Sequence, residues 1–177
     1  MKRKRICFIA LIGLLLAICG SVVAYMYTQT EEKNNRLIPA TVCCEVLEAI
    51  SNNAKTGIQI HNNGNIDAYL RLRLTTHWEN SSGQIIAKPS EMPTFSIASG
   101  WIAGANNTYY YSAPIAPDGS APNLLASGST IPLTVDEAGN KCVIEVFAEA
   151  IQSVPGSVVT DNWGVSVDSN GIITSAP

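Results

Sequence analysis

From Ile66 to Thr76 apolar and polar side chains alternate without a break. The even positions are Ile66, Ala68, Leu70, Leu72, Leu74 and Thr76; the odd ones are Asp67, Tyr69, Arg71, Arg73 and Thr75. A period of two over this length describes a strand with one buried face. A helix would scatter the same leucines around its circumference. A strand needs neighbours to satisfy its main chain and a second layer to cover its apolar face, so this stretch commits the chain to a sheet protein.

The remainder of the chain supplies the neighbours. Residues 41–50 are rich in Val, Cys and Leu and end at Asn52-Asn53. Residues 56–61 alternate, with Ile58 and Ile60 on one side, and Asn62-Asn63-Gly64-Asn65 follows as a turn. The spacing predicts that Gly57–His61 and Ile66–Thr76 form a hairpin across that turn. Short strands are expected at Gln84–Ala87 and Thr94–Ile97, and a further hairpin from Gly100–Ile102 to Thr108–Tyr111. Residues 130–136, Lys141–Gln152 and Val165–Val167 complete the set. Ala148–Ser153 has room for one helical turn, and no stretch beyond residue 24 has helical periodicity. The reading is all-β: an antiparallel, jelly-roll-like β-sandwich preceded by an N-terminal signal or hydrophobic helix.

That N-terminal segment sets the compartment. Lys2, Arg3, Lys4 and Arg5 precede an uncharged apolar run from Ile6 to Val23, which closes on Gly20-Ser21-Val22-Val23-Ala24. Basic, then apolar, then small is the order of an export signal. The run is longer than the roughly 7–15 residues of a signal core and shorter than the roughly 20 of a membrane span. Cleavage after Ala24 would leave Tyr25 first; without it, residues 6–23 stay in the membrane as an anchor. The domain reading is a signal or anchor at 1–24, a polar flexible arm at 25–39 and a β-sandwich domain at 40–177.

Beyond residue 24 the chain holds all 14 acidic residues but only 7 basic ones, a net charge of −7. Such a surface has no footprint for nucleic acid. Cys43, Cys44 and Cys142 remain in this part. In an oxidising compartment Cys142 can pair with one of the adjacent two, or all three can stay as thiols in a β-core. The only histidines are His61 and His77, and no Cys-x-x-Cys is present, so a zinc site lacks its ligand spacing. No Gly-x-Ser-x-Gly elbow occurs either. No cofactor is expected.

Several segments resemble the TasA/camelysin family of exported envelope and biofilm-matrix proteins of Gram-positive bacteria. They are His61–Leu74, Thr108–Ile115, and Ile144–Gln152 followed by Trp163, together with a signal ending at Ala24-Tyr25 that resembles substrates of the SipW-type signal peptidase. The resemblance implies a jelly-roll sandwich and a secreted, matrix-associated subunit. It also implies self-association into fibres, in which the N-terminal segment of one subunit completes the sheet of the next. Camelysin has been classed as a metallopeptidase; with no His-Glu-x-x-His here, that activity does not carry over.

A few individual residues are of types that can carry chemistry. Tyr109, Tyr110 and Tyr111 are a candidate surface contact for glycan or another subunit, against ordinary cross-strand packing. Glu145 and Glu149 share a strand face, as paired carboxylates or as plain solvent-facing residues. Asp168-Ser169-Asn170-Gly171 starts like a calcium loop but lacks its later acidic ligands, and reads as a turn. The expected function is a secreted, non-enzymatic structural protein of the cell surface or extracellular matrix, polymerising by donor-strand exchange. The alternative is a membrane-anchored module that binds a glycan or host ligand.

Overall fold

The computed structural model describes residues 38–177 and, before them, Gly13, Leu16, Cys19 and Ser21. Those four are helical and exposed. The rest of the signal run, the Ala24–Tyr25 junction and the arm up to residue 37 lie outside the described residues. Pro39–Pro177 forms one compact unit.

Within Pro39–Pro177 the chain forms ten strands, in antiparallel sheets, and one short helix. Strands β1 (Cys44–Ser51), β2 (Ala54–Asn62) and β7 (Ile131–Pro132) form one sheet in the order β1-β2-β7. The second sheet is built on β3 (Ala68–Glu79). Along one side β3 pairs with β8 (Lys141–Gln152) over its whole length. Along the other it meets β4 (Ile85–Ile86) and β6 (Thr108–Tyr111), and β6 pairs in turn with β5 (Trp101–Ala103). Helix α1 (Ser157–Trp163) and the pair β9 (Ser166–Val167) and β10 (Ile173–Ser175) finish the chain.

The alternation in β3 sorts its side chains as expected on one face. Ala68, Leu70, Leu72 and Leu74 join Ile58, Ile60 and Ile131 of the first sheet, with Trp101, Leu124 and Ile144, in one buried cluster. The two sheets thus share a core, and burial of these side chains at about 1.5–3 kcal/mol each is the main force holding them together. The opposite face departs from the expectation of a polar surface. Tyr69 is buried there, in a second cluster with Tyr110, Val159, Trp163, Val165 and Ile173. The C-terminal segment covers that end of the sheet. Arg71 fastens it: its guanidinium lies 4.6 Å from the Trp163 ring and gives Glu149 hydrogen bonds of 2.6 and 3.1 Å.

Three sequence expectations are corrected here. β2 and β3 do not form a hairpin; they belong to different sheets, and Asn62–Asp67 carries the chain from one to the other. Ala148–Gln152 is strand to its end, paired with Ala68–Leu72, and holds no helical turn. The helix lies instead at Ser157–Trp163, where Val159 and Trp163, one turn apart, are its buried residues. It stops at Gly164, whose φ of 67° is the left-handed conformation that glycine reaches at least cost. In addition, residues 130–136 contribute only two strand residues, and Thr94–Ile97 only an isolated bridge from Ile97 to Leu125.

The crossover between sheets is held by one side chain. Asn62 is fully buried. Its Nδ2 donates to the carbonyls of Ile66 (2.9 Å) and Ile115 (2.8 Å), and its Oδ1 accepts from the Gly64 N–H (2.9 Å). At Gly64 the Thr41 carbonyl passes so close that a Cβ would sit 2.5 Å from it, so only glycine fits. Asn65 then ties the incoming chain down: its side chain accepts from the Thr41 N–H and donates to the Pro39 carbonyl.

Replacing Asn62 by Ala leaves the Gly64 N–H and the Ile66 carbonyl without this partner and strips the Ile115 carbonyl of one of its two donors, the other being the Ala68 N–H. We expect a loss of about 2–4 kcal/mol in urea unfolding, well above the loss for an exposed Asn63→Ala control. Equal effects of the two changes would refute the role given to Asn62.

Candidate functional site

The sequence-selected residues do not gather into one site. In the tyrosine run, Tyr110 faces away from its neighbours, as strand geometry requires, but it is buried rather than exposed. Its ring packs on Trp163 with centroids 5.8 Å apart. Tyr109 and Tyr111 are half-buried against the main core, beside Phe95 and Trp101. Burial raises the Tyr109 hydroxyl above its ordinary value. The trio joins the two cores and offers no three-ring contact surface.

Cys43 is exposed, Cys44 half-buried and Cys142 buried, all as free thiols. Burial pushes both Cys44 and Cys142 upward, and Cys43 and Glu149 add to the rise at Cys44. Glu149 serves Arg71, while Glu145 lies 3.9 Å from His77, which also meets Glu79 at 3.0 Å. The Glu145 and Glu149 carboxylates are both half-exposed on the strand face. Asp168 closes a turn by accepting the N–H groups of Ile172 and Asn170, which hold its carboxyl below the usual range. Among the described residues no group of three or more His, Cys, Asp or Glu is placed to hold a metal ion, and no helix is long and apolar enough to cross a membrane.

The feature that stands out belongs to the main chain. In an antiparallel strand, successive residues turn their N–H and C=O groups to opposite edges. The Cys142 N–H donates to Thr134, away from β3. The even residues of β8 therefore face outward, and beyond Cys142 these are Ile144, Val146, Ala148, Ala150 and Gln152. Among the described residues no strand pairs with that edge past the bridge from Lys141 to Val135. β1 has the same property. On the far side of β2, the even residues bond to the 118–124 segment, as in Ala121 N–H to Ile60 and Leu124 N–H to Ile58. The odd residues of β2 thus serve β1, and Cys44, Val46 and Glu48 direct their main-chain groups outward, unpaired by any described strand.

The two bare edges lie side by side. Their Cα atoms come within 8 Å of each other, and Val46 and Glu48 line a cleft of about 460 Å³ with Ile144, Glu145, Val146 and Phe147. A second cavity of about 300 Å³ continues it at one end. Ile50, Asn53, Lys55, Leu133, Val135 and Val143 are among its walls, and Ile144 is common to both. A third, of about 400 Å³, opens at the other end of β8, between Ala40, Ile66 and Gln152–Val154. Lys55, only 4% exposed, is held at 2.6 Å by Glu48, so one ion pair links the first two cavities.

Sequence reading missed this seam because an unpaired edge is a property of topology. The local signal, a β-branched run with few charges at Lys141–Gln152, marks the strand but not its vacant side. Comparison with known proteins finds no matching family model, no matching curated protein and no matching solved structure.

Next to the seam, Asp136 fastens the loop that precedes β8. It accepts from Lys88 (2.6 Å) and from Asn140, and these bonds hold its carboxyl far below the ordinary range. Lys88 in turn lies 3.6 Å from the Trp78 ring centroid. A carboxyl lowered on folding stabilises above its unfolded value of about 3.9 and loses that contribution as pH falls toward the folded value. We therefore expect Asp136→Asn to be less stable than the parent at pH 7 and the gap to narrow as pH drops below about 4. Chemical denaturation at stepped pH measures this; a gap that widens in acid would contradict it. Alkylation under native conditions, followed by mass spectrometry, is expected to modify Cys43 well before Cys142, which should react only on unfolding.

Proposed function

We propose that the chain is a secreted, non-enzymatic structural subunit of a bacterial cell surface or extracellular matrix. In this reading the sandwich is of jelly-roll type, and copies polymerise when the N-terminal arm of one enters the β1–β8 seam of the next. The single observation that carries the proposal is the pair of adjacent unpaired edges. A bare edge is costly to leave in a soluble protein and accepts an added strand through main-chain hydrogen bonds. Two facing edges offer such bonds on both sides of the incoming segment. The export-type N-terminus and the resemblance to TasA/camelysin segments support the same reading, with a SipW-type signal peptidase as the processing partner. Cleavage after Ala24 frees the arm; without it, residues 6–23 tether the domain to the membrane.

The seam is narrower than insertion requires. A strand seated between two others needs roughly 9.5 Å from neighbour to neighbour, while β1 and β8 come within 8 Å. β1 must therefore swing outward as the arm enters. The register shift between Ala49 and Ile50, where Thr56 of β2 has no partner on β1, locally disrupts the ladder that would have to open for that movement.

Ala148→Pro tests the proposal. Its N–H faces the seam, so proline removes no bond to β3 but denies one to an incoming strand. The exported parent protein is expected to form fibres by electron microscopy. The variant is expected to keep the parent's circular dichroism and to remain monomeric. A parent that stays monomeric at high concentration, or a variant that assembles at the parent's rate, would sink the idea.

A further inference from the structure

We infer that the cavity beside Lys55 is an anchor pocket, in which the aromatic end of a neighbouring copy's arm, Tyr25-Met26-Tyr27, seats and fixes the register of the inserted strand. This rests on the proposed assembly and adds where the strand is gripped. Main-chain bonds along a bare edge are alike at every second residue, so they cannot choose a register. Side-chain pockets must do so, as they do wherever an extended peptide joins a sheet edge. The middle of the seam offers Val46, Val146 and a carboxylate rim, which distinguish little. The Lys55 cavity differs from it. Its walls include Ile50, Leu133, Val143 and Ile144, and Ile50 and Val135 at its mouth are 59% and 50% exposed, an apolar surface with no described cover.

The occupant follows from the chain itself. Within residues 25–38 the bulky apolar side chains are Tyr25, Met26 and Tyr27 at one end, and Leu37 and Ile38 at the other. Leu37 and Ile38 adjoin Pro39–Thr41, which Asn65 pins to the domain. Ala40 lines the cavity at the Gln152 end, the far end of the seam from Lys55. Tyr25–Tyr27, the end farthest in sequence from that pin, is the one we assign to another copy's anchor pocket.

Direction is constrained as well. Ile50 shares the Lys55 cavity with Lys141–Ile144, whereas Cys44 feels the charge of Glu149, so β1 and β8 run in opposite directions. A strand between them is therefore antiparallel to one edge and parallel to the other.

The experiment uses the exported full-length protein with Tyr27 replaced by the photo-crosslinker p-benzoylphenylalanine. Equal parts of isotopically light and heavy copies are assembled and irradiated, and the joined peptides are identified by mass spectrometry. The expected result is mixed light–heavy products linking position 27 to the Leu133–Thr134 or Lys141–Ile144 segments. In parallel, Thr134→Trp fills the pocket mouth from an exposed position without touching the core. It should slow fibre growth at least tenfold while leaving the melting temperature unchanged. Fibres that form with crosslinks between copies elsewhere, or an unslowed Thr134→Trp variant, overturn the anchor assignment and leave strand exchange standing; crosslinks confined within single copies overturn both. A parent protein that forms no fibres overturns both.

Discussion

The buried amide of Asn62 is the constraint on which the architecture depends. A chain leaving one sheet for another must break its ladder inside the core, where unpaired N–H and C=O groups are costly. Asn62 replaces the lost ladder with side-chain bonds to Ile66, Ile115 and Gly64. Its own main chain bonds Gly119 and Asp118, so the 115–119 segment is fixed by the same residue. The chain can then divide its long strands between two sheets, β1 and β2 in one, β3 and β8 in the other. Asn123 repeats the device further along, where its side chain accepts from the Ile58 N–H and donates to the Thr56 carbonyl. One side of β2 is thus sealed by loop side chains and loop main chain. No comparable loop among the described residues seals β1 or the outer edge of β8.

Three side chains around the crossover show how local chemistry places a distant feature. Gly64 lets the Thr41 carbonyl approach, and Asn65 ties Pro39 and Thr41 to the same turn. The chain entering the domain is therefore held beside the Gln152 end of β8. The point from which any N-terminal extension departs is set by the turn residues Gly64 and Asn65, not by the extension.

Much of the fold was legible in the sequence. The alternation of Ile66–Thr76 marked β3 and its core face, and the apolar run Lys141–Gln152 marked β8, because period and length are local properties. Pairing was not legible. Asn62-Asn63-Gly64-Asn65 has the composition of a hairpin turn, and nothing local says that its first asparagine is buried and bonds across the core. Helix α1 escaped notice because one turn with buried Val159 and Trp163 is too short to display a period; Pro155-Gly156 before it and Gly164 after it were its only signals. The burial of Tyr110 is hidden for a related reason. Strand geometry turns it away from Tyr109 and Tyr111, but the residues that cover it, Val159, Trp163 and Ile173, come some fifty or more residues later. The seam was the least legible feature, since a vacancy arises from what the whole topology leaves unpaired.

The two ends of β8 carry different fittings: the pinned entry of the chain beside Gln152 and an apolar cavity beside Lys141. Twelve strand residues separate them, about 40 Å at the usual rise. A donor at one pole and a receptor at the other are not the same patch, so any junction made through them, short of a reciprocal exchange of arms between two copies, would leave one donor and one receptor unused. Growth by that route would be head-to-tail, the filament would have two chemically distinct tips, and blocking one tip would leave the other able to add subunits.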